Sequence, residues 1–442
     1  MLFTRLPEKK YLLGIDLGEI FCQISYLNTR RLTAGMDPHT FCYGPGREDF
    51  DIPAAAYQNP ETGEWVYGRE ALEMSAEFGE EPLTHLLAGA VQEETTAQGE
   101  PAAQAGVPAA QGRGAGAGVS GDVLIGFLGY CLSLLSAEVM EEEIEAVTFT
   151  TAVMDRRTAA VLRRAADALF PGLLKIAYEE HLKSFYHYVL MQDEEQRRQS
   201  VLLLDGWSEE ELVLYSLSYN KKTRPIVCFP EELRLKIPAE ADAAQKDQIL
   251  CSAVRGLMQE KEYSAAYLTG EALGGGWMKE SLNLICRGRR AFQGDTLYSK
   301  GAADSTMAAC GLSSKADKYF YLSKDALRCN IGMDCLKKGR TVYQPLLDAG
   351  AEWYDAAAQI DILLEDGDEI VLRETSVDRG NEREIAVKLE NMPKRPRATT
   401  RLRIRLHMTS ADRMQLTAED LGFGEIFPST GMKWEQEIVI NG

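Results

Sequence analysis

YLLGIDLGEIFCQISY, residues 11–26, reads as a buried-type strand, a turn on Asp16-Leu17-Gly18, and a second strand. An aspartate at the tip of an apolar hairpin, with a glycine two residues on, suits phosphate and metal chemistry. The carboxylate holds a cation through its water shell, and the glycine lets backbone N–H groups approach phosphate oxygens. Asp-Leu-Gly is a short pattern, and its weight comes from the order of the segments that follow.

At 442 residues the chain has room for two or three domains with their own cores. A net charge of −19 speaks against a nucleic-acid partner, because no segment supplies a sustained basic face. The nine cysteines show no CxxC and the five histidines are dispersed, so no zinc site is legible and a reducing compartment is expected. The start, MLFTRLPEKK, lacks the apolar run of a signal peptide, and the most apolar later segment, 125–135, is too short to span a bilayer. The expectation is a cytoplasmic protein with no membrane partner.

After the hairpin, a Gly- and Pro-rich passage leads to a strand-turn-strand-helix over 51–72. Residues 92–120 are dominated by Ala, Gly, Gln and Pro, cannot bury apolar surface, and read as a disordered insertion. A helix over 121–139 follows, with Leu124, Phe127, Leu128, Cys131 and Leu135 on one face. The acidic run 138–145 reads as a solvated turn before a strand at 145–152, and Asp155 as the N-cap of the next helix. Strands at 173–177, 200–205 and 211–219 alternate with helices, then a helix over 241–259 feeds a strand at 265–269. Gly270 to Gly276, GEALGGG, opens a helix predicted over 277–286, and one more helix follows residues 300–303. This alternation predicts a mixed α/β fold. Beyond about residue 322 only strands and turns are predicted, which makes 328–442 a separate all-β domain, an antiparallel sandwich.

The segments resemble the Hsp70 chaperones, within the actin, Hsp70 and sugar-kinase ATPase superfamily, over nearly the whole chain. GIDLG (14–18) is similar to the first phosphate motif, and IPAAAYQNPETGEWVYGREAL (52–72) to the strands beside it. VLLLDGWSEEELVLYSL (201–217) resembles the second phosphate motif, YLTGEALGGGWMKESL (267–282) the adenosine motif, and YSKGAAD (298–304) the closing helix. Residues 388–425 resemble part of the substrate-binding sandwich. The resemblance implies a two-lobed, actin-like ATPase domain with ribonuclease H-like halves over 1–315. Lobe I would cover about 1–195 and a reduced lobe II about 196–315. A linker at 316–327 and a β-sandwich at 328–442 without a helical lid would follow. It further implies ATP or ADP with Mg²⁺ as cofactor. Asp16 and Asp205 would face one hydrated Mg²⁺, and Glu180 would position the attacking water. Gly14, Gly18, Glu19 and Gly206 would lie along the phosphates, and Gly270, Gly274, Gly275 and Gly276 along the adenosine.

Four departures weaken the catalytic part. Glu19 stands where the family has a hydroxyl residue, Trp207 replaces the second motif's last glycine, Thr151 replaces a proline, and the catalytic lysine has no clear counterpart. Trp277 reads as a core residue or as a cover for the adenine. Arg287, Arg289 and Arg290 form a compact basic cluster with either a phosphate role or an ordinary helix-end role. Two functional expectations therefore stand side by side. One is an Hsp70-like, nucleotide-regulated, chaperone-like binder of a protein or extended peptide through its β domain, with weak or lost ATPase activity. The other is a pseudo-ATPase scaffold for a fixed partner.

Overall fold

A computed structural model describes residues 10–33, 36–44, 49–97, 121–208, 210–377 and 381–440. The chain divides into two compact units, Met1–Tyr319 and Phe320–Gly442.

The first unit opens with β1 (Tyr11–Leu17) and β2 (Phe21–Asn28), the short β3 (His39–Thr40) and β4 (Ile52–Pro53), and a hairpin of β5 (Ala56–Gln58) and β6 (Trp65–Tyr67). Helices α1 (Gly68–Phe78), α2 (Leu86–Ala97) and α3 (Gly121–Leu135) follow. The first half then closes with β7 (Ile144–Thr151), α4 (Arg156–Leu169), β8 (Ile176–Glu180) and α5 (His181–Met191). The second half runs β9 (Ser200–Asp205), β10 (Glu211–Asn220), β11 (Ile226–Lys236), α6 (Ala243–Glu260) and β12 (Tyr263–Thr269). It continues with α7 (Glu280–Ile285), β13 (Arg290–Gln293) and α8 (Leu297–Ala309), and the short β14 (Tyr319–Tyr321) straddles the boundary between the units.

One sheet has the order β3-β2-β1-β7-β8 and the other contains β11-β10-β9-β12-β13. Both halves therefore repeat one pattern: third, second, first, fourth, fifth strand. The pairing senses repeat as well. β1 is antiparallel to β2 and parallel to β7, while β9 is antiparallel to β10 and parallel to β12. Parallel neighbours need crossover connections; α4 supplies the one from β7 to β8 and α7 the one from β12 to β13. Central parallel strands are covered on both faces, so they are apolar at successive positions; Val201 to Leu204 of β9 are all buried. β1 and β9 are thus counterparts, and Asp16 and Asp205 stand at their matching ends.

Helix α8 joins the halves. It lies so close to β1 that a Cβ on Gly14 would sit 2.2 Å from the Ala303 backbone nitrogen. A band of buried hydroxyls fixes it there. Thr306 Oγ1 donates to Leu13 O at 2.8 Å, Ser299 and Ser25 hydroxyls are 2.9 Å apart, and Ser305 Oγ donates to Glu179 at 2.8 Å. α5 packs on α8 just as closely, because Gly301 has no side chain; a Cβ there would meet Ser184 O at 2.0 Å.

Several expectations change. β11 was not expected, since Pro230 within the run argues against a strand paired on both sides. The helix predicted over 277–286 is shorter, because the Asp247 carboxylate of α6 accepts from the N–H groups of Lys279, Glu280 and Ser281 and so fixes its start. Residues 92–97 of the predicted insertion extend α2, and the rest of it lies outside the described residues. Asp155 caps α4 as expected, accepting from the Thr158 N–H at 2.8 Å.

The second unit holds β15 (Cys329–Lys337), β16 (Arg340–Leu347), β17 (Ala357–Leu364), β18 (Glu369–Ser376), β19 (Glu382–Lys388), β20 (Thr400–Ser410), β21 (Arg413–Asp420) and β22 (Lys433–Val439). They form two four-stranded antiparallel sheets, β16-β15-β18-β19 and β17-β20-β21-β22. Alternation decides the inward face: Leu402, Ile404, Leu406 and Met408 of β20 are buried, with arginines between them. Residues of both sheets, Ile331 and Leu372 from one and Ile404 and Leu416 from the other, share a single apolar cluster. Among the described residues, no helix is long and apolar enough to cross a membrane.

Candidate functional site

Asp16 pairs across β1 with Thr150 of β7, and Asp205 pairs across β9 with Thr269 of β12. These positions lie at the carboxyl ends of the parallel strands, where open α/β sheets place their ligand sites. Each aspartate is met by the N-terminus of the helix that follows the last strand of its own half. His181, the first residue of α5, has its Nε2 2.6 Å from Asp16 Oδ1. Tyr298, in the first turn of α8, donates its hydroxyl to Asp205 Oδ2. The imidazole and phenol rings then stack, with centroids 4.0 Å apart and planes 10° from parallel. The result is a continuous chain, Asp16–His181–Tyr298–Asp205, that respects the pseudo-symmetry of the two halves.

The electrostatics follow from burial and charge. Burial alone would lower the His181 pKa; the Asp16 carboxylate and its hydrogen bond, helped by Asp205 and Glu180, outweigh it and raise the pKa above the ordinary value. When His181 is protonated, its imidazolium places between the two strand-end carboxyl groups the positive charge that a cation would bring to such a pair. Burial raises the Asp205 pKa, against the Tyr298 hydroxyl and His181, which lower it. Burial also raises the Tyr298 phenol, as does its carboxylate partner.

Glu180 ends β8 and is the N-cap residue of α5, directly before His181. At the hairpin turn the Gly18 N–H donates to Phe21 O at 2.9 Å. Glu19 is half-exposed and faces His85 Nδ1 at 3.3 Å; burial raises its pKa and His85 opposes the rise. Trp207 lies against Phe21, ring centroids 4.9 Å apart, so the two turns that would flank a phosphate chain touch each other. Around them, burial raises the Asp51 carboxyl, and Asp295 and Glu271 raise it further.

Gly14, Gly206 and Gly270 have packing reasons. Gly14 makes room for α8, as described. Gly270 makes room for Gly206: a Cβ on Gly270, whose φ is +99°, would meet the Gly206 carbonyl carbon at 2.3 Å, while a Cβ on Gly206 would meet the Leu273 side chain at 2.5 Å. Gly274 donates its N–H to Glu271 O at 2.9 Å, and Gly275 and Gly276 turn the chain before α7. Trp277 donates its indole N–H to Ala272 O at 2.9 Å and packs at the edge of the second half's core.

Residues 115–324 match the model of the C-terminal part of a family of unknown function, DUF5716, and residues 326–440 match a domain of unknown function, DUF8552. No curated protein matches the chain. Among solved structures it is similar to a non-polymerising MamK mutant bound to AMPPNP, at 11% identity and a TM-score of 0.36, covering 68% of this chain and 99% of that one. It is also similar to MreB5 of Spiroplasma citri bound to ADP, at 11% identity and a TM-score of 0.29, covering 87% of this chain and 73% of that one. A third is a reductive activator for a corrinoid, iron-sulfur protein, at 10% identity and a TM-score of 0.36, covering 72% of this chain and 64% of that one.

The arrangement present differs from the one expected for Mg²⁺ with ATP or ADP. Both carboxylates that would share the cation already have protein partners, and the ring stack stands between them. Sequence reasoning identified the aspartates but missed His181 and Tyr298. The available signal was an imidazole and a phenol at the first turns of two equivalent helices.

Proposed function

We propose that this chain is a pseudo-ATPase: a nucleotide-independent member of the actin and Hsp70 superfamily that serves as a scaffold for a protein partner. The observation that carries the reading is the Asp16–His181–Tyr298–Asp205 chain. The two carboxyl groups are each engaged by a protein partner, and the imidazole between them is the group that can carry a compensating charge. Polyphosphate would also meet Asp51, Asp295 and Glu271 at the same end of the sheets, which opposes its approach. A nucleotide-cycling chaperone needs both aspartates available to one hydrated cation, and here each would first have to give up its partner.

In this reading the second unit, as a β-sandwich, holds the protein or extended peptide, and the first unit is a rigid frame. The buried hydroxyl band on α8 supports the rigidity, since opening the halves would expose unpaired polar groups. Nine free cysteines agree with a reducing, cytoplasmic setting.

Calorimetric titration of the full chain with Mg·ATP and Mg·ADP tests the proposal, with Asp16→Ala and Asp205→Ala as controls. No saturable heat at millimolar nucleotide is expected. Saturable binding that both substitutions remove would overturn it.

A further inference from the structure

β9 begins at Ser200 and ends at Asp205, and β12 begins at Tyr263 beside it. At the starting end of these strands, roughly 17 Å along the sheet from Asp205, lies a second cavity of about 410 Å³. Arg198, Arg289 and Arg290 line it, together with Tyr263 and Ser264.

Arg289 is the telling residue. It is half-buried, its Nε is buried without a hydrogen-bond partner, and its Nη1 meets only the thioether sulfur of Met258, at 2.8 Å. A thioether is a weak acceptor and does not offset a desolvated guanidinium. Burial accordingly lowers the Arg289 pKa. Among the described residues, none of the three arginines has a carboxylate within 4.0 Å. Asp193 and Glu195 also line the cavity and, like Arg198 and Arg290, are exposed, so three guanidinium groups stand against two carboxylates. A cationic cavity in a chain of net charge −19 runs against the overall composition.

We propose that this cavity binds an oxyanion, a phosphoryl or carboxylate group of a small ligand, with Arg289 as the central donor and Arg198 and Arg290 beside it. The guanidinium fork matches both groups bidentately, so the shared chemistry is a planar or tetrahedral oxyanion presenting two acceptor oxygens. The site is independent of the Asp16–Asp205 cleft and of the reading given to it.

The test is thermal unfolding of the full chain in increasing sodium phosphate or sodium succinate, with ionic strength held constant by sodium chloride. A saturable rise of about 2 °C or more is expected with at least one anion by about 50 mM. The responding anion distinguishes a phosphoryl from a carboxylate ligand. R289Q should abolish the rise, and R198Q/R290Q should raise the half-saturating concentration about tenfold or more. D205N should keep the response, which separates this site from the cleft. The proposal is overturned if neither anion gives a saturable rise, or if R289Q, folded by near-UV circular dichroism, responds as the wild type does. Should R289Q not fold, an undiminished response in R198Q/R290Q overturns it.

Discussion

His181 and Tyr298 stack face to face, with centroids 4.0 Å apart, and each ring carries a hydrogen bond to the strand-end aspartate of its own half. The contact turns two equivalent helix N-termini into a bridge. It places an imidazole and a phenol between two carboxylates that would otherwise invite a cation.

The bridge gives stability a pH dependence of definite sign. The folded pKa of His181 is raised, so its contribution is fully present below the unfolded value of about 6.5 and is lost as pH rises through the folded value. Urea midpoints of the wild type should therefore fall over that window above pH 6.5. His181→Phe should flatten the slope and cost roughly 3 kcal/mol at pH 6.5, because Asp16 is left buried without its partner. An unchanged slope in the variant would show that His181 is not the titrating group.

Asn substitution should separate the two aspartates. The Asp205 pKa is raised, chiefly by burial, so folding works against its charge, and Asp205→Asn removes that charge while keeping an acceptor for Tyr298. Asp205→Asn should raise the urea midpoint at pH 8, whereas Asp16→Asn, which removes the counter-charge of His181, should lower it. Equal losses from both would contradict the assigned roles.

Gly14→Ala distinguishes a packing glycine from a phosphate glycine. The added Cβ would lie 2.2 Å from the Ala303 nitrogen and 2.3 Å from Ser299 O, both backbone atoms of α8. Overpacking of this kind costs roughly 3 kcal/mol, and thermal melting should register it without any ligand. A variant as stable as the wild type would mean that α8 does not lie this close to β1.

In the second unit the fully buried Asp420 accepts two bonds from Arg395, at 2.7 and 2.8 Å, and further bonds from Thr430 and the Gly422 N–H. Burial works against its charge, but the Arg395 guanidinium and the N–H donors hold the carboxyl well below the usual range. Arg395→Met strands that charge and should cost about 3 kcal/mol in the unfolding transition of this unit. A change under about 1 kcal/mol would show the pair to be solvated.

The sequence disclosed the frame better than the site. Asp16 and Asp205 could be found because each ends an apolar strand, and the repeated order of segments made them counterparts. His181 and Tyr298 could not be found the same way, since they lie far along the chain from the aspartates they bond and only helix placement brings them in. The glycines were visible as glycines, but Gly14 and Gly270 answer to neighbouring backbone, which spacing does not reveal. Glu180 was read as functional because the resemblance implies it; the next residue, His181, makes the contact with Asp16. β11 was hidden by Pro230, because a proline within a run mimics a strand ending.

The central claim is that the paired carboxylates are satisfied from within and leave no place for Mg·nucleotide. The most direct measurement follows the His181 ring nitrogens by NMR in ¹⁵N-histidine-labelled protein at pH 7 while Mg·ATP is added to about 5 mM. The account predicts imidazole resonances that do not move. A saturable shift of those resonances, with loss of the bond to Asp16, would contradict it.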